Sequence, residues 1–162
     1  MLIVREAKVD DANQIVYINV NGWKETYKGI FPQKYLNKLD PYDSSSIKKC
    51  QDKIDEYIVA ELDGKIVGMA RFGNNKKGYD DVYAEIYALY VDNNFKEKKI
   101  GTKLVNFIFE KLKEKYKYVL ISTLKENSAN IFYKNIGGIK IGESDFILEN
   151  NKYVENIYQY DI

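Results

Sequence analysis

The stretch "AEIYALYVDNNFKEKKIGTKL" (Ala84–Leu104) joins a strand-like pattern to a helix-like one through a short basic loop. The apolar run over Val82–Val91 is rich in Ile, Tyr and Val, and it predicts a central β-strand. After the loop, apolar residues recur every four positions from Ile100, which predicts a helix from about Gly101 to Tyr116 that packs on a sheet. The loop itself places four lysines around one glycine.

The basic loop lies where a helix begins, and this position favours an anion. Backbone N–H groups at a helix start have no intrahelical partner, and the helix dipole adds partial positive charge there. Lysines strengthen the attraction, and Gly101 lets a phosphate approach the backbone closely. These features predict a pyrophosphate site. Two other interpretations stay open at this point, a solvated helix start and a basic patch for nucleic acid.

Length and charge narrow the class of protein. The chain has 162 residues, which fits one domain spanning 1–162. It carries 25 Lys+Arg against 24 Asp+Glu, a net charge of +1. Proteins that bind nucleic acid usually show a stronger basic excess, so no nucleic-acid partner is expected. Without a membrane-length apolar run or a leader pattern, we expect a soluble cytoplasmic protein with no membrane partner.

The residue types that are missing exclude whole classes of chemistry. The sequence has no histidine, and Cys50 is its only cysteine. Ser-His-Asp and Cys-His catalysis, His-based zinc sites and an internal disulfide are therefore excluded, and no metal is expected. Acid–base chemistry has to use Glu, Asp, Tyr, Lys, Cys or water.

The remaining elements predict an α+β fold. A first strand is expected over Leu2–Ala7, followed by a helix capped by Asp10 or Asp11. Asp63-Gly64 is typical of the tight turn of a β-hairpin. The run "YVLIST" (Tyr118–Thr123) follows the crossover helix and predicts a parallel strand. Two final strands complete a mixed sheet of about seven strands flanked by helices.

Three segments, in this order along the chain, resemble the GNAT superfamily of acyl-CoA-dependent N-acetyltransferases. The loop corresponds to the family's R/Q-x-x-G-x-G/A motif, with Lys96 at its first place and Gly101 at its last. The segment "NSANIFYKNIGG" (Asn127–Gly138) matches a later family motif, and "WKETYKGIFPQKYL" (Trp23–Leu36) is similar to a segment frequent in one bacterial subgroup. The resemblance spans nearly the whole chain and implies a single-domain GNAT-like fold with a splayed parallel strand pair after the central strand.

The loop departs from the family motif at two positions. Lys96 replaces the usual Arg or Gln, which keeps the charge but loses the two-pronged hydrogen bonding of arginine. Lys99 stands where the middle glycine belongs and brings a Cβ into a tight loop. The resemblance nevertheless implies acetyl-CoA as co-substrate.

Two residues match the family's catalytic positions. Glu85, in the central strand, would act as general base through a bound water, because an alkylamine with a pKa of about 10.4 must lose a proton before it attacks. The alternative for Glu85 is a structural carboxylate paired with a Lys or Arg. Tyr133 would supply the proton to the departing CoA thiolate, and its alternative is a core aromatic beside Phe132.

The resemblance also implies binding residues. Leu89 and Val91 would offer backbone groups to the pantetheine arm, while Asn127 would contact CoA or cap the helix that follows it. The full set of expected acetyl-CoA contacts is Leu89, Tyr90, Val91, Lys96, Glu97, Lys98, Lys99, Ile100, Gly101, Thr102, Asn127 and Tyr133. The residues expected to line the acceptor site are Trp23, Tyr27 and Tyr35, and plain packing is the alternative for them.

The expected reaction is direct attack of a primary amine on acetyl-CoA in a ternary complex. The acceptor would be a small-molecule amine or a protein N-terminus, and the sequence does not choose between them. A non-catalytic acyl-CoA sensor on the same fold is the alternative function. The oligomeric state is open, with pairing of the last strand across a homodimer as one option.

Overall fold

The computed structural model describes residues 1–162, with the side chain of Glu97 outside that description. The strands are β1 (Leu2–Glu6), β2 (Tyr57–Leu62), β3 (Lys65–Asn74), β4 (Tyr83–Val91), β5 (Tyr118–Leu124), β6 (Ile139–Leu148) and β7 (Asn151–Asp161). The α-helices are α1 (Ala12–Thr26), α2 (Gln33–Asn37), α3 (Ser44–Asp52), α4 (Ile100–Leu112) and α5 (Asn130–Asn135). Among the described residues no helix is long and apolar enough to cross a membrane.

The strands form a mixed sheet of seven in the order β1-β2-β3-β4-β5-β7-β6, counted over the described residues. β4 and β5 are parallel, with Tyr83–Ile86 opposite Tyr118–Ile121. The predicted α+β class and mixed seven-stranded sheet are confirmed. The Asp63-Gly64 hairpin is also present, and both turn residues have positive φ (48° and 85°) as a two-residue hairpin turn requires.

Backbone contacts divide the chain into two compact units. The first unit consists of Met1–Phe72 and Ala88–Ile108, and the second of Gly73–Tyr87 and Phe109–Ile162.

In the first unit, helices cover both faces of the β2–β3 hairpin. Val59 and Met69 are paired across the hairpin and belong to the buried cluster that includes Ile15 of α1 and Cys50 of α3. The next pair, Ala60 and Gly68, points to the opposite face, since neighbouring residues of a strand alternate. There, a Cβ added at Gly68 would lie 3.0 Å from Ile100 of α4. The hairpin is therefore buried on both sides.

The start of α1 differs from the expected cap. Asp11 precedes the helix, but its carboxylate makes no cap bond to it. Instead it accepts hydrogen bonds from the Lys8 N–H (2.7 Å) and from Arg5 (2.7 and 3.1 Å). The Arg5 guanidinium and the Lys8 N–H, working against the cost of burial, hold the pKa of Asp11 below its ordinary value. The residue thus ties β1 to the helix start.

Two predicted helix boundaries were wrong. α4 ends at Leu112, not near Tyr116, because the chain must turn so that the Lys117 N–H can donate to the Val82 carbonyl at 2.9 Å. α5 begins at Asn130, later than expected from a cap at Asn127, and ends at Asn135.

The second unit ends in a long hairpin whose outer strand is the edge of the sheet. β6 pairs with β7 across a tight turn at Glu149-Asn150. Its register shifts between Lys140 and Gly142. Ile139 and Ile147 of this edge strand are 67% and 62% exposed.

Candidate active site

The basic loop lies in the first unit and forms a short 3-10 turn over Asn93–Lys98 before α4. The Asp92 carboxylate accepts a hydrogen bond from the Asn94 N–H at 3.0 Å and so caps this turn. Three lysines of the loop, Lys96, Lys98 and Lys99, are exposed to solvent. The Glu97 side chain, one of the expected acetyl-CoA contacts, lies outside the described residues.

The helix that follows presents backbone donors at the predicted place. The first intrahelical bond of α4 runs from the Lys103 N–H to the Lys99 carbonyl at 3.1 Å. The N–H groups of Ile100, Gly101 and Thr102 therefore have no acceptor within the helix. With the lysines beside them, these donors can bind an anionic group such as a phosphate.

Lys99 adopts the left-handed backbone conformation, with φ 56° and ψ 28°. This is the conformation that glycine adopts at little cost and that a residue with a Cβ adopts rarely. The geometry explains why a glycine suits this position and shows that the chain keeps the turn despite the lysine. Its side chain is exposed, so it does not fill the turn itself.

The end of β4, with the predicted contacts Leu89, Tyr90 and Val91, also belongs to the first unit. These three residues are partly buried. The Tyr90 ring lies directly against α1, where a Cβ added at Gly22 would be only 2.4 Å from Tyr90 Cδ1. Gly22 therefore permits the close approach of α1 to this strand.

Two of the three predicted acceptor-site residues lie in one aromatic cluster. Trp23 and Tyr27 meet edge to face with centroids 4.9 Å apart, and Tyr27 stacks on the buried Phe31 at 4.4 Å. The hydroxyl oxygens of Tyr27 and Tyr90 are 3.5 Å apart. Tyr35 lies on α2, and over the described residues no ring contact joins it to this cluster.

Asn19 is a polar residue of α1 that sequence reasoning missed. Its Oδ1 is buried and has no hydrogen-bond partner among the described residues. Asn19 precedes Trp23 by one helical turn, so the two lie on the same side of α1. A buried acceptor of this kind has capacity for an N–H donor.

In the second unit, Glu85 is a buried carboxylate with one oxygen held in place. It is 5% exposed, and its Oε1 accepts a hydrogen bond from the Lys76 N–H at 2.7 Å. Burial raises the pKa of Glu85 above its ordinary value, while the Lys76 N–H and the charge of Lys77 act in the opposite direction. No protein donor to Oε2 is present in the described part of the chain, so this oxygen can accept a proton.

Tyr133 lies on α5 in the second unit and is 8% exposed. Its ring packs edge to face on Phe132 with centroids 5.4 Å apart, and it lies 6.2 Å from the ring of Tyr158. The Tyr133 carbonyl accepts hydrogen bonds from the Tyr160 hydroxyl at 2.7 Å and the Gly138 N–H at 3.0 Å. The backbone that carries the predicted acid is therefore fixed by several contacts.

Asn130 anchors the helix that carries Tyr133. Its Nδ2 donates to the carbonyls of Asn127 (2.7 Å) and Leu124 (2.9 Å), and its Oδ1 accepts from Tyr158 (2.6 Å) and Asn156 (3.0 Å). Sequence reasoning missed this residue, although it lies inside the segment that carries the resemblance.

Both polar atoms of the Asn127 side chain form hydrogen bonds within the protein. Its Nδ2 donates to Thr123 Oγ1 at 2.9 Å, and its Oδ1 accepts from the Ala129 N–H at 2.9 Å. This arrangement organises the turn before α5. Contact with CoA remains a prediction for this residue.

Ser122 of β5 is a second polar group that sequence reasoning missed. Its Oγ is buried without a hydrogen-bond partner among the described residues. Leu120, two residues earlier, is directly opposite Glu85 in the parallel pair. Alternate residues of a strand share a face, so Ser122 and Glu85 lie on the same side of the sheet.

The structure gives no candidate metal centre within the described residues, where no group of three or more Cys, Asp or Glu side chains is arranged to hold an ion. Glu85 is suited to proton transfer, and the start of α4 is suited to binding an anionic ligand.

A match to a family model identifies the class of protein to which this chain belongs. The acetyltransferase (GNAT) domain model matches residues 53–137, slightly more than half of the 162 residues. The chain belongs to the GNAT acetyltransferase family, and the predicted family and enzyme class are confirmed.

Individual relatives agree with this assignment. An N-acetyltransferase of Bacillus subtilis, YuaI, whose function is uncharacterised, is 27% identical over 153 residues, covering 90% of this chain and 85% of its own length. A spermidine N(1)-acetyltransferase of Thermoplasma acidophilum is 28% identical over 163 residues, covering 90% of this chain and 94% of its own.

A solved structure supports the fold. The PaiA N-acetyltransferase of Thermoplasma acidophilum, crystallised in complex with coenzyme A, superimposes with a TM-score of 0.73. The alignment covers 100% of this chain and 99% of that chain at 18% identity.

Proposed function

We propose that the protein transfers the acetyl group of acetyl-CoA to a primary amine by direct attack in a ternary complex. The observation that carries this proposal is Glu85, a buried carboxylate with raised pKa and one oxygen open to a proton. In a family of acetyltransferases, such a group suits the task of deprotonating the attacking amine. The whole chain is proposed to act as one acetyltransferase domain, 1–162.

The proposed acetyl-CoA site uses the basic loop. The N–H groups of Ile100 to Thr102 would bind the pyrophosphate, and the exposed lysines of the loop would add charge. Gly101, which lacks a side chain, keeps the backbone accessible. Backbone groups of Leu89 and Val91 would hold the pantetheine arm.

Two protons leave the amine nitrogen during the proposed reaction. The protonated amine loses one proton to Glu85 through water, and its nitrogen then forms a bond to the thioester carbon. As the carbon–sulfur bond breaks, Tyr133 gives a proton to the thiolate, and the nitrogen loses its second proton. The second proton from the nitrogen passes through solvent to the Tyr133 phenolate, and Glu85 releases its proton to solvent. One proton is then on the CoA thiol, one is in solvent, and both side chains are in their starting states.

The proposed acceptor is a small-molecule amine or a protein N-terminus. The relative described as a spermidine N(1)-acetyltransferase supports the small-molecule alternative. The aromatic cluster of Trp23 and Tyr27 would contact a cationic amine through its ring faces. Asn19 Oδ1, a buried acceptor, adds a polar group on the same side of α1.

A panel of amines tests this function, with the release of free CoA thiol as the readout. Small polyamines, amino-acid amines and peptides with free N-termini should be compared with acetyl-CoA present in excess. Turnover with at least one class, and its loss by about 10²–10⁴ in Glu85→Gln, is the expected result.

A non-catalytic acyl-CoA sensor is the second candidate, because Lys96 and Lys99 alter the loop motif and Lys99 holds a conformation that glycine favours. Stabilisation of the protein by acetyl-CoA without turnover of any amine in the panel would favour the sensor. Full turnover in Glu85→Gln would instead exclude Glu85 as the base.

A further inference from the structure

The side chain of Asn75 makes five hydrogen bonds within and around the loop between β3 and β4. Its Nδ2 donates to the carbonyl oxygens of Tyr79 (3.1 Å), Asp80 (3.1 Å) and Tyr83 (3.2 Å). Its Oδ1 accepts from the N–H groups of Lys77 (3.3 Å) and Tyr79 (3.0 Å). One amide therefore fixes both residues 75–80, which are most of this loop, and the connection of the loop to β4.

A second set of contacts holds the same loop to β4. The Tyr87 hydroxyl donates to the Asn74 carbonyl, and the Lys76 ammonium lies 4.1 Å from the centroid of the Tyr87 ring. The result is that the Lys76 N–H is directed at Glu85 Oε1.

The residue after Lys76 in this loop, Lys77, forms an ion pair of low exposure with Glu155 of β7. Lys77 Nζ is 3.1 Å from Glu155 Oε1, and the two side chains are only 20% and 13% exposed. The Ser144 hydroxyl lies 3.5 Å from the same Glu155 oxygen. The charged groups that act on Glu85 are Lys76 and Lys77 from the loop and Glu155 from β7.

We propose that Asn75, Lys77 and Glu155 are positioning residues that set the pH range in which Glu85 works as a base. Asn75 holds the loop so that the Lys76 N–H stabilises the carboxylate, and Lys77 and Glu155 act on it with opposite charge. This inference rests on the proposed role of Glu85 in acetyl transfer.

The two charges of the pair affect Glu85 in opposite directions. Burial is the main cause of the raised pKa of Glu85, Lys77 lowers it, and Glu155 raises it. Losing Lys77 should therefore move the acid limb of the pH–rate profile to higher pH. Losing Glu155 should move that limb to lower pH, because the carboxylate then meets less negative charge.

The test compares Lys77→Met with Glu155→Gln, since both substitutions break the same ion pair. A purely structural role predicts similar changes in both variants, whereas the proposed role predicts limb shifts of opposite sign. The pH dependence of kcat/KM should be measured for both, together with a titration of the Glu85 carboxyl by carbon-13 NMR. Asn75→Ala should shift the limb in the same direction as Lys77→Met, because the Lys76 N–H is no longer held against Glu85.

Lys48→Met is the matched control, because it also removes the lysine of an ion pair (Lys48–Asp52, 2.7 Å), here an exposed one in the first unit. It should leave the profile unchanged. Shifts of the same sign in Lys77→Met and Glu155→Gln, or no shift in either, would overturn the proposal even if Glu85→Gln is inactive. Wild-type turnover in Glu85→Gln would instead refute the role of Glu85 and, with it, this inference.

Discussion

Tyr133 can be tested by removing one oxygen atom. In Tyr133→Phe the ring still packs on Phe132 and near Tyr158, so the fold and the KM for acetyl-CoA should stay close to wild type. If the hydroxyl protonates the thiolate, kcat at neutral pH should fall by about 10²–10⁴, the usual contribution of a positioned general acid.

The pH dependence of this variant gives a second criterion. A CoA thiol has a pKa of about 8.5 by analogy with cysteine, so at high pH the thiolate can leave without help. The deficit of Tyr133→Phe in steady-state kcat should therefore shrink as pH rises. Unchanged kcat at pH 7 would assign Tyr133 to packing alone.

Glu85 should lower the stability of the folded protein at neutral pH. Its pKa is raised in the folded state by burial, so the folded chain binds more protons than the unfolded chain between the ordinary Glu pKa and the raised one. Stability is accordingly lost as pH rises through this window. Glu85→Gln, which can still accept the Lys76 N–H bond, should have a higher free energy of unfolding than wild type at pH 7.

Urea denaturation at several pH values measures this effect. The advantage of Glu85→Gln should disappear below about pH 4, where the wild-type carboxyl is protonated in both states. If Glu85→Gln is less stable than wild type at pH 7, interactions with neighbouring groups must offset the cost of burying the ionised carboxylate.

At position 99, glycine should stabilise the protein more than alanine does, which is the reverse of their order within a helix. Its φ of 56° costs a residue with a Cβ about 1 kcal/mol, and glycine avoids that cost. We expect Lys99→Gly to be more stable than Lys99→Ala by about 1 kcal/mol in urea denaturation. Both variants lose the same charge, so equal stability would mean that the left-handed turn is not maintained in solution.

At the scale of the elements, sequence patterns correctly predicted the strands, turns and helix starts whose local residue preferences agree with their packing in the fold. The Asp63-Gly64 hairpin, the strand containing Glu85 and the start of the helix near Gly101 were all predicted, because turn chemistry and apolar spacing act locally. The end of α4 was misplaced because Leu112 and Tyr116 continue the four-residue spacing, whereas pairing of the next strand interrupts the helix.

The candidate site was predictable only in part. Glu85 and Tyr133 lie within recognisable segments, and the structure shows both to be buried. Asn75, by contrast, has no distinctive spacing, and its importance depends on five hydrogen bonds that exist only in the folded loop. Likewise, a buried acceptor without a hydrogen-bond partner among the described residues, such as Asn19 Oδ1, can be identified only from the folded structure.

The packing of α1 on β4 depends on the absence of a side chain at Gly22. A Cβ there would lie 2.4 Å from Tyr90 Cδ1, so Gly22→Ala should destabilise the protein by about 1–3 kcal/mol despite the better helix propensity of alanine. Thermal and urea unfolding would measure this loss. Asn13→Ala, at an exposed position of the same helix, is the control and should change stability by less than about 0.5 kcal/mol.

A double substitution separates the clash from other effects at Gly22. In Gly22→Ala combined with Tyr90→Ala, the ring that obstructs the new methyl group is gone. The combined loss should then be smaller than the sum of the two single losses. Simple additivity would show that α1 does not depend on this contact.

At the scale of the whole molecule, acetyl-CoA should raise the melting temperature. A ligand that binds only the folded state at 100 times its Kd stabilises it by about 2.7 kcal/mol, and in a chain of this size each kcal/mol raises Tm by about 2–4 °C. Gly101→Leu should abolish the shift by blocking approach to the helix start. Asn106→Leu, which places the same side chain on an exposed position of α4, should retain it.

A protein whose Tm does not respond to millimolar acetyl-CoA would contradict the proposed binding site. Equal shifts in Gly101→Leu and Asn106→Leu would place the ligand elsewhere on the molecule.

The exposed edge of β6 bears on the solubility of the protein at high concentration. An edge strand offers unpaired backbone groups to an extended segment of another molecule, and growth of such pairing leads to aggregates. The register shift at Lys140 and the charge of Glu143, paired with Lys125 and Lys140, interrupt the first part of this edge. Near Ile147, which is 62% exposed, the Asp145–Lys152 pair at 3.4 Å is a longer ion pair than those of Glu143. Slow aggregation during storage should therefore begin at this end of the strand, and Ile147→Lys should delay it.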